Sequence, residues 1–159
     1  MSLSTSTTTQ SSTRTSSTRG LRWTTAITLI LLAAQFLIGM LVNLFVTVPA
    51  VHPGRDAPEY FSGVAQGIFW ALLNSPLYLL LHVVVGLVLF LLSIVLLVMS
   101  IVARRAGWIV ASILGFIGIM GAGFNGASFM NYNHDFSSLL MAIGFLLAAV
   151  SYVIALLRS

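Results

Sequence analysis

The chain has 159 residues, of which 58% are hydrophobic and only 6% charged, with a formal net charge of +4 and a mean hydropathy of +1.05. A soluble domain carries about 25% charged residues, and the seven basic and three acidic side chains present here cannot cover a water-exposed surface. The absence of cysteine excludes disulfides, thiolate metal sites, Fe–S clusters and thiol redox couples.

Residues 1–22 open the chain with a run of Ser and Thr punctuated by Arg14, Arg19 and Arg22 and free of acids. Such a segment cannot bury enough apolar surface to offset its ordering entropy, so a disordered cytoplasmic tail is expected. A transit peptide, also Ser-rich and acid-poor, is the alternative. The remainder, 23–158, reads as a single membrane domain.

Span 1, about 23–48, is too long for the apolar core of a cleavable signal and is closed by no A-x-A site. Gln35, Gly39, Asn43 and Thr47 recur every four residues and share one helix face. For Gln35 the expected role is to knit this helix to a neighbour. Pro49 ends the helix, and His52-Pro53-Gly54 forms a turn.

Between Tyr60 and Leu73 the apolar residues Phe61, Val64, Ile68 and Leu72 repeat at helical spacing, with Trp70 beside them. This predicts an extracytoplasmic amphipathic helix lying in the membrane interface, either a lid over the outer ends of the spans or a hydrophobic connector.

Span 2, about 76–103, rises about 40 Å and exceeds the roughly 30 Å hydrocarbon core of a bilayer. Asn74 or Ser75 is the expected N-cap, with Pro76 in the first turn. Ser75, Tyr78, His82, Gly86, Ser93 and Ser100 project to roughly one side. His82 is a titratable group below the membrane surface, where chemistry competes with packing as an explanation. Gly86, one turn deeper, removes bulk that a flat ligand or a neighbouring backbone would need removed.

Span 3, about 107–130, carries Gly115, Gly118, Gly121, Gly123 and Gly126, a pattern that favours close helix packing, and Asn125 in its outer third. Span 4, about 136–157, follows His134 and Asp135, the latter an expected N-cap, and continues a small-residue seam through Gly144, Ala148 and Ser151.

The arginines give the orientation. Arg14, Arg19, Arg22, Arg104, Arg105 and Arg158 fall on one side of the four spans and only Arg55 on the other, with Asp56, Glu59 and Asp135. By the positive-inside rule both termini are cytoplasmic, in an all-α four-transmembrane-helix bundle, N-in and C-in, placed in the plasma (inner) membrane. The basic balance therefore records topology and implies no nucleic-acid partner.

Counting depth from the outer ends places Asn43, His82 and Asn125 in one layer, with His52 and His134 above it. The spacing Gly39-x3-Asn43-x8-His52 repeats as Gly121-x3-Asn125-x8-His134, which would make the two hairpins a duplication about an axis along the membrane normal. Such a layer suits haem b, with His82 as axial ligand over Gly86 and His52 or His134 opposite. It also suits copper or zinc on His52, His82 and His134, with Met130 or Met141 for Cu(I) and Asp56, Glu59 or Asp135 as supporting acceptors. A quinol or small apolar ligand under the Tyr60–Leu73 helix is a further option. The plainer alternative has His82 bonding Asn125 or Asn43, and His52 and His134 wet at the interface.

No acidic residue lies within a span, as a small proton-coupled exporter requires. Ser137 and Ser138, next to His134-Asp135 on a helix start, do not make a hydrolytic triad, and no channel-filter motif is present. Two functions follow: a cofactor-binding membrane protein for electron transfer or cofactor handling, or an accessory subunit without cofactor, packing on a partner or a second copy through its glycine-rich faces.

Overall fold

The computed structural model describes residues 8–132 and 135–158. These form five helices: α1 (Thr8–Phe45), α2 (Tyr60–Asn74), α3 (Leu77–Val102), α4 (Ala106–Tyr132) and α5 (Asp135–Leu157). Within them Thr18–Phe45, Leu77–Val102, Ala106–Tyr132 and Phe136–Leu157 are long and apolar enough to cross a bilayer. Between 17% and 33% of the most apolar window of each is buried inside the protein. The outward apolar surface, Ile30, Leu37, Leu91, Val98, Ile117 and Leu146 among it, suits hydrocarbon and not water.

The four long helices run alternately up and down. Antiparallel pairing of α1 with α3 follows from Gly20 lying against Met99 at one end and Phe45 against Tyr78 at the other. Phe90 on Phe116 and Ser100 on Ser112 pair α3 with α4 in the same sense. The contact of Phe36 with Phe145 joins α1 to α5 and closes the ring. The core lies towards the arginine-bearing end, where Leu21, Leu96, Trp108 and Tyr152 pack together. There the fully buried Ser100 and Ser112 hydroxyls meet at 2.8 Å, and Ser100 also donates to the Leu96 carbonyl at 2.7 Å. A hydroxyl with no water available must find a protein acceptor: Ser100 has the Leu96 carbonyl, which leaves its oxygen to accept from Ser112.

The tightest pairing is α4 on α5. A Cβ on Gly118 would lie 2.5 Å from the Gly144 carbonyl oxygen, and one on Gly144 2.6 Å from the Gly118 carbonyl oxygen and 2.8 Å from the Ala122 nitrogen. The two backbones touch there because neither carries a side chain. About one turn along α4 towards the arginine end, the Tyr152 ring occupies the place a Gly115 side chain would take. The expected use of these glycines for a partner or a second copy therefore needs correction at Gly115, Gly118 and Gly144, which are filled from within the chain.

Helix α1 is continuous through residues 18–22, which the sequence assigns to the tail: Leu21 is fully buried and Arg105 donates to the Thr18 hydroxyl at 3.2 Å. Its other end stops at Phe45, with the Val46 N–H still donating to the Val42 carbonyl at 3.0 Å.

Helix α2 forms where the periodicity places it, capped by Glu59, whose carboxylate accepts from the Phe61 and Ser62 N–H groups at 3.0 and 2.7 Å. Its buried face is Gly63, Val64, Gly67 and Ala71, which shares Val64 with the expected Phe61–Val64–Ile68–Leu72 stripe but is turned towards the small residues; Ile68 and Leu72 are half-buried, and Phe61, Phe69 and Leu73 are exposed. The small residues win because they let α2 approach the end of α4 and the Gly54 turn at backbone distance. Gly54 itself has φ of 100°, a conformation L side chains rarely adopt, and abuts the Gly63 carbonyl. Asn131 completes the seat, its Nδ2 donating to the Gly63 carbonyl at 3.0 Å.

The expected cap of span 2 also needs correction. Asn74 Nδ2 donates to the Trp70 carbonyl at 3.4 Å and the Ser75 hydroxyl to the Ala71 carbonyl. Both side chains turn back to satisfy the last turn of α2, and Pro76 takes the N-cap position of α3.

Candidate functional site, the polar pair between α1 and α3

Apolar helices in hydrocarbon must satisfy any polar side chain from a neighbour. Where α1 crosses α3, Gln35 and His82 do so for each other. Gln35 Nε2 donates to the His82 carbonyl at 3.0 Å and lies 3.3 Å from His82 Nε2. A carboxamide has two hydrogens, so both contacts are met when Nε2 is the lone-pair nitrogen and Nδ1 carries the proton, an assignment inferred from these partners. His82 Nδ1 and Gln35 Oε1 are buried and have no hydrogen-bond partner in the described residues.

Each polar side chain rests on the other helix's glycine. A Cβ on Gly39 of α1 would lie 3.0 Å from His82 Cε1, and one on Gly86 of α3 would lie 3.3 Å from Gln35 Nε2. The arrangement is Gln35-x3-Gly39 against His82-x3-Gly86, run antiparallel. The clearance at Gly86 thus admits the Gln35 amide, where the sequence alone allows a flat ligand or a neighbouring backbone.

The remaining members of the expected layer lie elsewhere. Asn43 is exposed, and Asn125 turns its Nδ2 to the Gly121 carbonyl of its own helix at 2.8 Å. The expectation that one of these two amides bonds His82 is replaced by Gln35. The environments also argue against the proposed duplication, since Gly39 meets His82 while a Cβ on Gly121 would have nothing within 4 Å.

His52 is 8% exposed, not wet. Its ring stacks on Trp70 of α2 with centroids 4.9 Å apart, Nδ1 is 3.0 Å from the Pro53 carbonyl and Nε2 is 3.3 Å from the Met130 carbonyl of α4. It ties the turn to α2 and α4. His134 lies outside the described residues, as does the Asp135 side chain.

Among the described residues no group of three His, Asp or Glu side chains is placed to hold a metal ion. Glu59 is committed to the α2 cap, and the two His52 ring nitrogens face the Pro53 and Met130 carbonyls, of which a neutral imidazole donates to one. At His82 a haem iron would have to displace Gln35 from Nε2 and its ring would meet the filled Gly86 notch.

Reading along single helices misses the pair, because its two halves sit on different spans. The signal that could have found it is the shared polar-x3-Gly spacing at 35/39 and 82/86. Comparison of the chain with protein-family models, with curated proteins and with solved structures finds no match.

Proposed function

We propose that the protein is a small polytopic integral membrane protein acting as an accessory or structural subunit, with His82 serving helix packing. The observation that supports this reading is the reciprocal notch: the imidazole and the carboxamide fill the two clearances, Gly39 and Gly86, that a ligand would need. Exposed apolar residues on all four long helices are left for lipid or for apolar spans of a partner. Both termini are cytoplasmic in this reading, and α2, with Phe61, Phe69 and Leu73 outward, lies in the opposite interface. The arginine asymmetry sets the proposed orientation, and the membrane proposed is the plasma (inner) membrane.

A cysteine-free chain makes the topology directly testable. Single cysteines at Ala57 and Gly107 are labelled in intact cells with an impermeant maleimide, alongside alkaline extraction of membranes. Labelling at Ala57 alone, with the protein retained in the extracted membrane, is the expected outcome. Labelling at Gly107 alone contradicts the orientation, and release by alkali contradicts membrane integration.

A second reading, a ligand on His82, has one supporting observation: its Nδ1 is buried without a partner among the described residues. Haem b, copper or zinc would be the candidates, with His134 as a further donor. A stoichiometric metal or a haem absorption band in the purified protein, lost in His82→Ala, would establish it.

A further inference from the structure

The bundle has two chemically different ends. Where α1 enters, α3 gives way to α4 and α5 finishes, Arg19, Arg22, Arg104, Arg105 and Arg158 are all exposed. None of the three acids of the sequence is at this end: Asp56 and Glu59 precede α2, and Asp135 begins α5 at the opposite one. Arg104 has φ of 52° in the turn between α3 and α4, and with Val102, Ala103 and Arg105 it lines an open hollow at the bundle end. Arg105 holds Thr18 of α1 at 3.2 Å, which fixes one guanidinium beside the α1 helix. Trp23, 63% exposed, next to Arg22 and about one turn beyond Arg19, is an aromatic of the kind found at headgroup depth.

We propose that this end binds the phosphate of an anionic phospholipid of the surrounding bilayer, around the Arg104–Arg105 turn and flanked by Arg19 and Arg158. The cations sit where four apolar helices leave the hydrocarbon, so the nearest abundant anion is a lipid headgroup. Basic clusters at that depth select acidic headgroups over zwitterionic ones. Guanidinium groups suit the task, since their fork matches two phosphate oxygens and stays charged at any working pH. The proposal rests on the bilayer reading above and adds to it a lipid preference located at one end.

The test uses the full chain reconstituted in phosphatidylcholine vesicles containing spin-labelled phosphatidylglycerol or spin-labelled phosphatidylcholine. Motionally restricted label reports lipid held at the protein. The expected result is a preference of about fivefold for phosphatidylglycerol at low salt, falling as sodium chloride is raised. Arg104→Gln/Arg105→Gln, and the same pair combined with Arg19→Gln/Arg158→Gln, should lose the preference stepwise while keeping helical circular dichroism. Arg55→Gln, at the other end, should keep it. Equal restriction of both lipids, or a preference that survives all four substitutions, overturns the proposal. So does loss of the preference on adding inorganic phosphate but not chloride of equal ionic strength, which would assign the site to a free anion. No restricted component for either lipid would instead contradict the bilayer reading itself.

Discussion

Gln35 and His82 exchange places across the α1–α3 interface: each lies against a glycine of the opposite helix, and a single carboxamide nitrogen reaches both the backbone and the ring of the histidine, at 3.0 and 3.3 Å. The reciprocity makes the two side chains one unit. Removing either leaves a gap at a glycine and an unpaired polar group.

The energetic consequence is measurable. Interhelical hydrogen bonds in membrane proteins average about 0.6 kcal/mol and reach about 1.7. Gln35→Ala and His82→Ala should each lower stability by about 1 kcal/mol in mixed-micelle unfolding, and the double variant should cost less than their sum. Strict additivity would show that the two side chains do not act together.

The notches give a steric counterpart. Gly39→Leu forces a side chain into the His82 ring and should cost about 1–3 kcal/mol, whereas Gly121→Leu, with open space around it, should cost far less. Thermal unfolding in detergent compares the two. Equal losses would mean that the Gly39 clearance has no packing role.

Tyr152 is 1% exposed and its hydroxyl is buried without a hydrogen-bond partner among the described residues. Tyr152→Phe should therefore be neutral or stabilising, because it deletes a desolvated hydroxyl and leaves the ring on Gly115. A loss above about 1 kcal/mol would reveal an acceptor for that hydroxyl.

Gly54 joins two constraints, a positive φ and contact with the Gly63 carbonyl. Gly54→Ala should release α2 from its seat on Asn131 and speed proteolysis between Pro49 and Glu59, with little effect on the α4–α5 pairing. Unchanged cleavage would show that the turn does not position α2.

The long helices were legible in the sequence because length and hydropathy act on each segment alone, and no tertiary contact is needed to recognise about twenty apolar residues. The candidate site was less so. Depth counting aligned Asn43 with His82, but depth fixes position along a helix axis and not rotation about it, and Asn43 faces outward. The same ambiguity shifted the buried face of α2: the large apolar residues marked a stripe of which Val64 is buried, while Gly63 and Gly67, which let the neighbouring Gly54 backbone come close, turned the helix about it so that Phe61 is exposed. Gln35 was recognisable as a helix-knitting residue, but its partner depended on an inter-helix register that no single span encodes.

The central claim is that His82 packs and does not ligate. It is tested most directly by the oxidised and reduced absorption spectra of detergent-purified protein, expressed with ample haem and metals, with elemental analysis of the same sample. The account predicts no Soret band and no stoichiometric copper, zinc or iron. A Soret band or a bound metal that disappears in His82→Ala would contradict it.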